Sequence, residues 1–152
     1  MEPSTFVSIA LTVAFPGIAE TVFCLPLLLS TRTRALFRSL PPAESVAVSY
    51  LSVMLALSVP FVAGVAAVFG LDIWRGPIYN VLIRVATFVS ATYIVVLPAT
   101  AIVGLPRYGL DWDQTGYGVG TWAILLLSTL WYVVLLFVPI VLLSALLALP
   151  TG

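Results

Sequence analysis

The chain has 152 residues, of which 62% are hydrophobic and only 8% charged, and its six basic residues, all arginine, balance six acids for a formal net charge of zero. A mean hydropathy of +1.19 excludes an ordinary soluble domain, and a neutral chain has no global field to draw nucleic acid or an acidic substrate. Histidine is absent and Cys24 is the single cysteine, which excludes an intrachain disulfide and removes the clusters on which zinc, haem and iron–sulfur sites usually rest, so no cofactor or metal is expected.

Four apolar runs follow one another. The first, Phe6 to Ser30 (FVSIALTVAFPGIAETVFCLPLLLS), is long enough to cross a bilayer, since about 20 residues at 1.5 Å rise span the roughly 30 Å hydrocarbon core. Met1 to Thr5 contains Glu2 and no basic residue, so the run reads as a retained helix rather than a cleaved signal. Near its middle stands Glu20. An ionisable group at that depth costs about 2.5–3.5 kcal/mol on insertion scales, so it should face a protein interior or a cavity. Pro16 and Gly17 predict a kink just before it. Ser8, Thr12, Pro16, Glu20 and Cys24 recur every fourth residue and share a slowly drifting face. Such a stripe has two readings: a proton or cation path ending in a carboxylate, or a structural anchor in which Glu20 bonds a neighbouring helix or is protonated at neutral pH by desolvation.

The polar segment that follows, Thr31 to Glu44, carries Arg32, Arg34 and Arg38 before the Pro41-Pro42 breaker. These arginines serve as an orientation signal and are candidate contacts for anionic lipid headgroups, at about 1 kcal/mol per near-surface charge. The second run, about Ser45 to Gly70, holds Pro60 and Gly64 and pairs small residues four apart, which permits close helix approach. In the third, about Ile78 to Gly104, Asn80, Arg84, Thr87 and Ala91 fall on one helical face. Arg84 is thereby the candidate partner of Glu20, the alternative being that it snorkels to the interface. Asp111 to Gly116 (DWDQTG) matches the opening of a calcium loop, but Trp122 stands where the bidentate glutamate is required, so an interfacial turn is the expectation, with Asp113 or Thr115 near the next helix start. The fourth run, Thr121 to Leu149, exceeds the bilayer and should tilt or kink at Pro139.

These runs predict an all-α, four-transmembrane-helix bundle forming a single membrane domain. Arginine counts place the first and third loops inside and both termini outside. The all-arginine cation set suggests a prokaryotic source with a GC-rich genome, a haloarchaeon being the specific expectation. The segment Ile18 to Pro26, IAETVFCLP, resembles in type the first-helix segment of small multidrug resistance exporters, four-helix proteins with one essential glutamate there. The resemblance implies that Glu20 exchanges protons with a cationic substrate across a dimer. It is confined to that segment, and the aromatic residues typical around the acid are not matched. No constellation for nucleophilic, phosphoryl-transfer or metal chemistry is present in the sequence. The expected function is therefore a non-catalytic accessory or structural membrane component, working in the bilayer as a homo-oligomer or part of a larger complex. The rival is a proton- or cation-coupled small transporter built on Glu20.

Overall fold

The computed structural model describes residues 17–41, 45–70 and 76–149. Ser8, Thr12, Pro16 and Pro42, named above, lie outside the described residues, and so do residues 6–16 of the first apolar run. Every regular element among the described residues is helical. In chain order they are α1 (17–23), a 3₁₀ turn (Leu25–Leu29), α2 (Thr31–Ser39), α3 (Val46–Gly70), α4 (Ile78–Ala99), a π turn (Thr100–Gly104) that passes through Leu105–Arg107, and α5 (Val119–Leu147). Among the described residues three helices are long and apolar enough to cross a membrane: α3, α5, and α4 with its continuation to Arg107. Their outward faces carry Phe88, Val95, Leu127 and Leu146, each more than 60% exposed, the surface expected of helices solvated by lipid.

Proline positions explain the departures from regular helix. Pro26 lacks an N–H and its ring crowds the carbonyl one turn back, so the α-helix ends at residue 23 and the chain continues as 3₁₀ from Leu25. A helix end leaves its last carbonyls without intrahelical partners, and here side chains of other helices supply them. The Tyr50 hydroxyl of α3 donates to the Thr21 carbonyl at 2.5 Å, and the Trp131 indole of α5 donates to the Phe23 carbonyl at 3.1 Å. These two bonds fix the end of α1 between α3 and α5.

The π turn has a similar logic. In π register the Leu105 N–H bonds the Thr100 carbonyl, so the carbonyl of Ala101 should meet the N–H of residue 106. That residue is Pro106 and has none. The indole of Trp112 donates to the Ala101 carbonyl instead, at 2.6 Å, which draws the loop after α4 back against the helix and buries Trp112 to 4% exposure. Tyr and Trp of a membrane protein commonly sit at the membrane–water interface, but Trp112 and Tyr50 are both packed inside.

α1 runs antiparallel to α3, with Gly17 beside Ser58 and Thr21 beside Tyr50. A Cβ at Gly17 would stand 2.8 Å from the Ser58 hydroxyl, and one at Gly64 would stand 2.7 Å from a Val85 methyl of α4. Glycine at each position lets two helices approach closely. α4 packs most extensively on α5 and then on α3, and α2 lies across one end of the bundle.

Candidate functional site

Glu20 sits in α1, one turn before the Pro26 break, and is 4% exposed. Cys24, whose N–H bonds the Glu20 carbonyl, is completely buried beside it. The surrounding core is aromatic: Tyr50 from α3, Tyr93 from α4 and Tyr132 from α5 belong to one cluster with Cys24, Phe37 and Phe61. Tyr93 and Tyr132 stack with ring centroids 6.1 Å apart, and Phe61 meets Tyr93 edge-on at 5.5 Å, geometries that the ring quadrupoles favour.

Two of the three tyrosines are already committed. Tyr50 donates to the Thr21 carbonyl, and Tyr93 donates at 2.6 Å to the Leu57 carbonyl, three residues before Pro60 within the continuous helix α3. Among the described residues neither the Tyr132 hydroxyl nor either oxygen of Glu20 meets hydrogen-bond geometry with a partner, but the Tyr132 hydroxyl faces the Glu20 carboxyl closely enough to interact with it. A buried, unpaired carboxyl is costly, and natural structures rarely leave one without a purpose.

The other residues of the proposed polar site lie elsewhere. α4 turns Leu82, Ala86, Ser90 and Tyr93 inward, at offsets of four, eight and eleven. The face formed by Asn80, Arg84, Thr87 and Ala91 therefore points outward, and all four are exposed. The Thr87 hydroxyl is spent on the Ile83 carbonyl at 2.7 Å. The structure does not bring Arg84 to Glu20, whose oxygens have no partner, and Thr12 lies outside the described residues. The spacing of charged and polar residues does not single out Tyr93 and Tyr132, although a tyrosine within an apolar span must find a use for its hydroxyl.

At the end of the bundle closed by α2 there is a second polar cluster. The Asp113 carboxylate accepts from the Thr115 N–H (3.1 Å) and hydroxyl (2.6 Å) through Oδ1, and from the Thr121 hydroxyl (2.5 Å) through Oδ2. Arg32 approaches Oδ2 to 4.0 Å and donates to the Thr121 hydroxyl at 3.1 Å. Burial alone would push this carboxyl up, but the bonds from Thr115 and Thr121, with the Arg32 guanidinium beside it, hold it below the usual carboxylate range. Asp113 thus ties α5 to α2 through Thr121 and Arg32. Of the three candidate headgroup arginines, Arg32 is half-buried in this cluster, whereas Arg34 and Arg38 are exposed on the outer face of α2.

Fold and site together define a small helical membrane protein with an unpaired carboxyl buried among tyrosines. A protein-family profile described as a domain of unknown function, DUF8162, matches residues 4–151, and the chain belongs to that family. No curated protein and no solved structure matches it.

Proposed function

We propose that the protein is a non-catalytic membrane component whose working group is Glu20, taking up and releasing a proton, or holding a small cation, as the coupling step of a small transporter. The observation that supports this reading is the burial of the carboxyl: it is 4% exposed, and among the described residues neither oxygen meets hydrogen-bond geometry with a partner, the Tyr132 hydroxyl alone coming near. The rival is a purely accessory or structural component in which Glu20 is an anchor, bonded to a neighbouring helix or held protonated by desolvation. A partner subunit is a poor source of such a bond, because so little of Glu20 reaches the surface. An isolated carboxyl beside one uncommitted phenol instead suits a group that alternates between states, since an acid at membrane depth tends to mark an ion or proton path.

The test is reconstitution into liposomes that entrap a pH-sensitive dye, with an outward gradient of sodium or tetraethylammonium imposed. The wild type should move protons against the cation flow. Glu20→Gln, nearly identical in shape, should abolish that movement while leaving folding and assembly intact. No flux in the wild type, or equal flux in both, would remove the transporter reading and restore the accessory one.

A further inference from the structure

The helix α2 has two unlike faces. Thr33, Leu36 and Phe37 are buried, whereas Arg34 and Arg38, one turn apart, are exposed on its outward side. Its depth follows from what the buried face touches. Leu36 packs with Ala101, Ile102 and Leu125, and Phe37 meets Tyr50 edge-on with ring centroids 5.1 Å apart. Leu125 and Tyr50 stand within two turns of the starts of α5 and α3, and Ile102 within two turns of the end of the α4 continuation at Arg107. α5 and the continued α4 have 29 and 30 residues. About 20 residues cross the hydrocarbon core, so roughly five at each end of these helices lie at headgroup level. α2 therefore packs against the bundle at the boundary between acyl chains and headgroups, with its outward face turned to lipid. Leu29, just before it, is 82% exposed, as suits a side chain among acyl chains.

The charge on that face is uncompensated. Among the described residues the one ion pair is Arg32–Asp113, Asp111 accepts from the Tyr117 hydroxyl at 2.7 Å, and α2 itself contains no acid. Side chains four apart on a helix have Cβ atoms about 5–6 Å apart, where like charges repel. An anion held between the two guanidiniums relieves that repulsion, and the guanidinium fork matches phosphate oxygens. We propose that the Arg34–Arg38 face of α2 is a binding site for an anionic phospholipid, whose phosphodiester sits between the two guanidiniums while its acyl chains lie beside Leu29. A zwitterionic lipid offers the same phosphate but brings a quaternary ammonium to a doubly cationic surface, so the site selects a headgroup of net negative charge. Arg32, bonded to Thr121 and beside Asp113, takes no part. The inference does not depend on Glu20 being a transport group.

The test places the full chain in phosphatidylcholine vesicles containing a minor fraction of phosphatidylglycerol, each lipid being spin-labelled on its acyl chain in turn. The wild type should immobilise phosphatidylglycerol in preference to phosphatidylcholine. Changing Arg34→Gln and Arg38→Gln should reduce that preference about fivefold per arginine removed. Arg84→Gln, which removes an exposed charge near the other end of α4, should leave it unchanged. Arg34→Lys with Arg38→Lys keeps the charge but loses the fork, and an intermediate preference is expected. A preference that survives in the double glutamine variant, or that Arg84→Gln reduces equally, would overturn the site. A lysine pair equal to wild type would overturn the bridged phosphodiester. Displacement of the labelled lipid by inorganic phosphate would make free phosphate the ligand and overturn the lipid assignment.

Discussion

Among the described residues two acids are buried, Asp113 and Glu20, and they are treated in opposite ways. Asp113 receives three hydrogen bonds and faces a guanidinium, whereas no described group gives Glu20 a bond that meets hydrogen-bond geometry. The first arrangement is structural. Because the Asp113 carboxyl is held below its ordinary range in the folded protein, its stabilisation is fully present above the unfolded carboxylate range and is lost as pH falls through the folded value. Thermal unfolding in detergent should therefore show Asp113→Asn less stable than wild type at neutral pH, with the gap closing in acid. A gap that persists or widens in acid would contradict the network. Glu20 was legible in the sequence as an exceptional residue, since a lone acid in an apolar run stands out by composition. Its partners were not legible: helical spacing pointed to Arg84, but the periodicity of one helix does not say which face meets which neighbour. The outward turn of Arg84 follows from the inward packing of Ala86, Ser90 and Tyr93.

The breaks in helices organise the packing of their neighbours. At two of these breaks aromatic donors from a distant part of the chain take backbone carbonyls: Tyr50 and Trp131 at the end of α1 and Trp112 at the π turn. Tyr93 does the same for the Leu57 carbonyl, next to the Ala56 carbonyl that Pro60 leaves without its N–H. Trp112→Phe should cost about 1–3 kcal/mol by orphaning the Ala101 carbonyl. Pro106→Ala, which restores an N–H at the position the π register needs, should reduce that cost in the double variant. Additive unfolding free energies across the four-protein cycle would show that Pro106 and Trp112 do not answer one another. The sequence marks the prolines plainly, and it marks the three long apolar helices because their length and hydropathy are properties of the composition alone. Which aromatic residue serves which freed carbonyl is a tertiary fact. Tyr50 and Trp112 read as interfacial in one dimension because that is where such residues commonly sit.

Across the whole molecule, the Arg32–Asp113–Thr121 contact joins the segment before α3 to the loop before α5, so these two connections lie at the same end of the bundle. Arg34, Arg38 and Arg107 are exposed there. The positive-inside rule predicts that this end faces the cytoplasm; on that expectation a cysteine introduced at Arg34 should resist an impermeant thiol reagent applied to intact cells. Cys24 is fully buried and contributes little background; rapid labelling at position 34 would reverse the orientation. At the same scale, Gly64→Leu should separate α3 from α4, because a Cβ there already meets Val85 at 2.7 Å, and it should lower the unfolding temperature more than Gly70→Leu, where nothing lies within 4 Å. What joins these scales is the claim that the bundle encloses one carboxyl able to change its protonation. The most direct measurement is the infrared difference spectrum between wild type and Glu20→Gln in the carboxyl-stretch region, recorded across the pH range in which both remain folded. A single band that appears and disappears with pH in the wild type and is missing from the variant is the expected result. A Glu20 band that stays constant at every pH would contradict the account and make the residue a fixed part of the core.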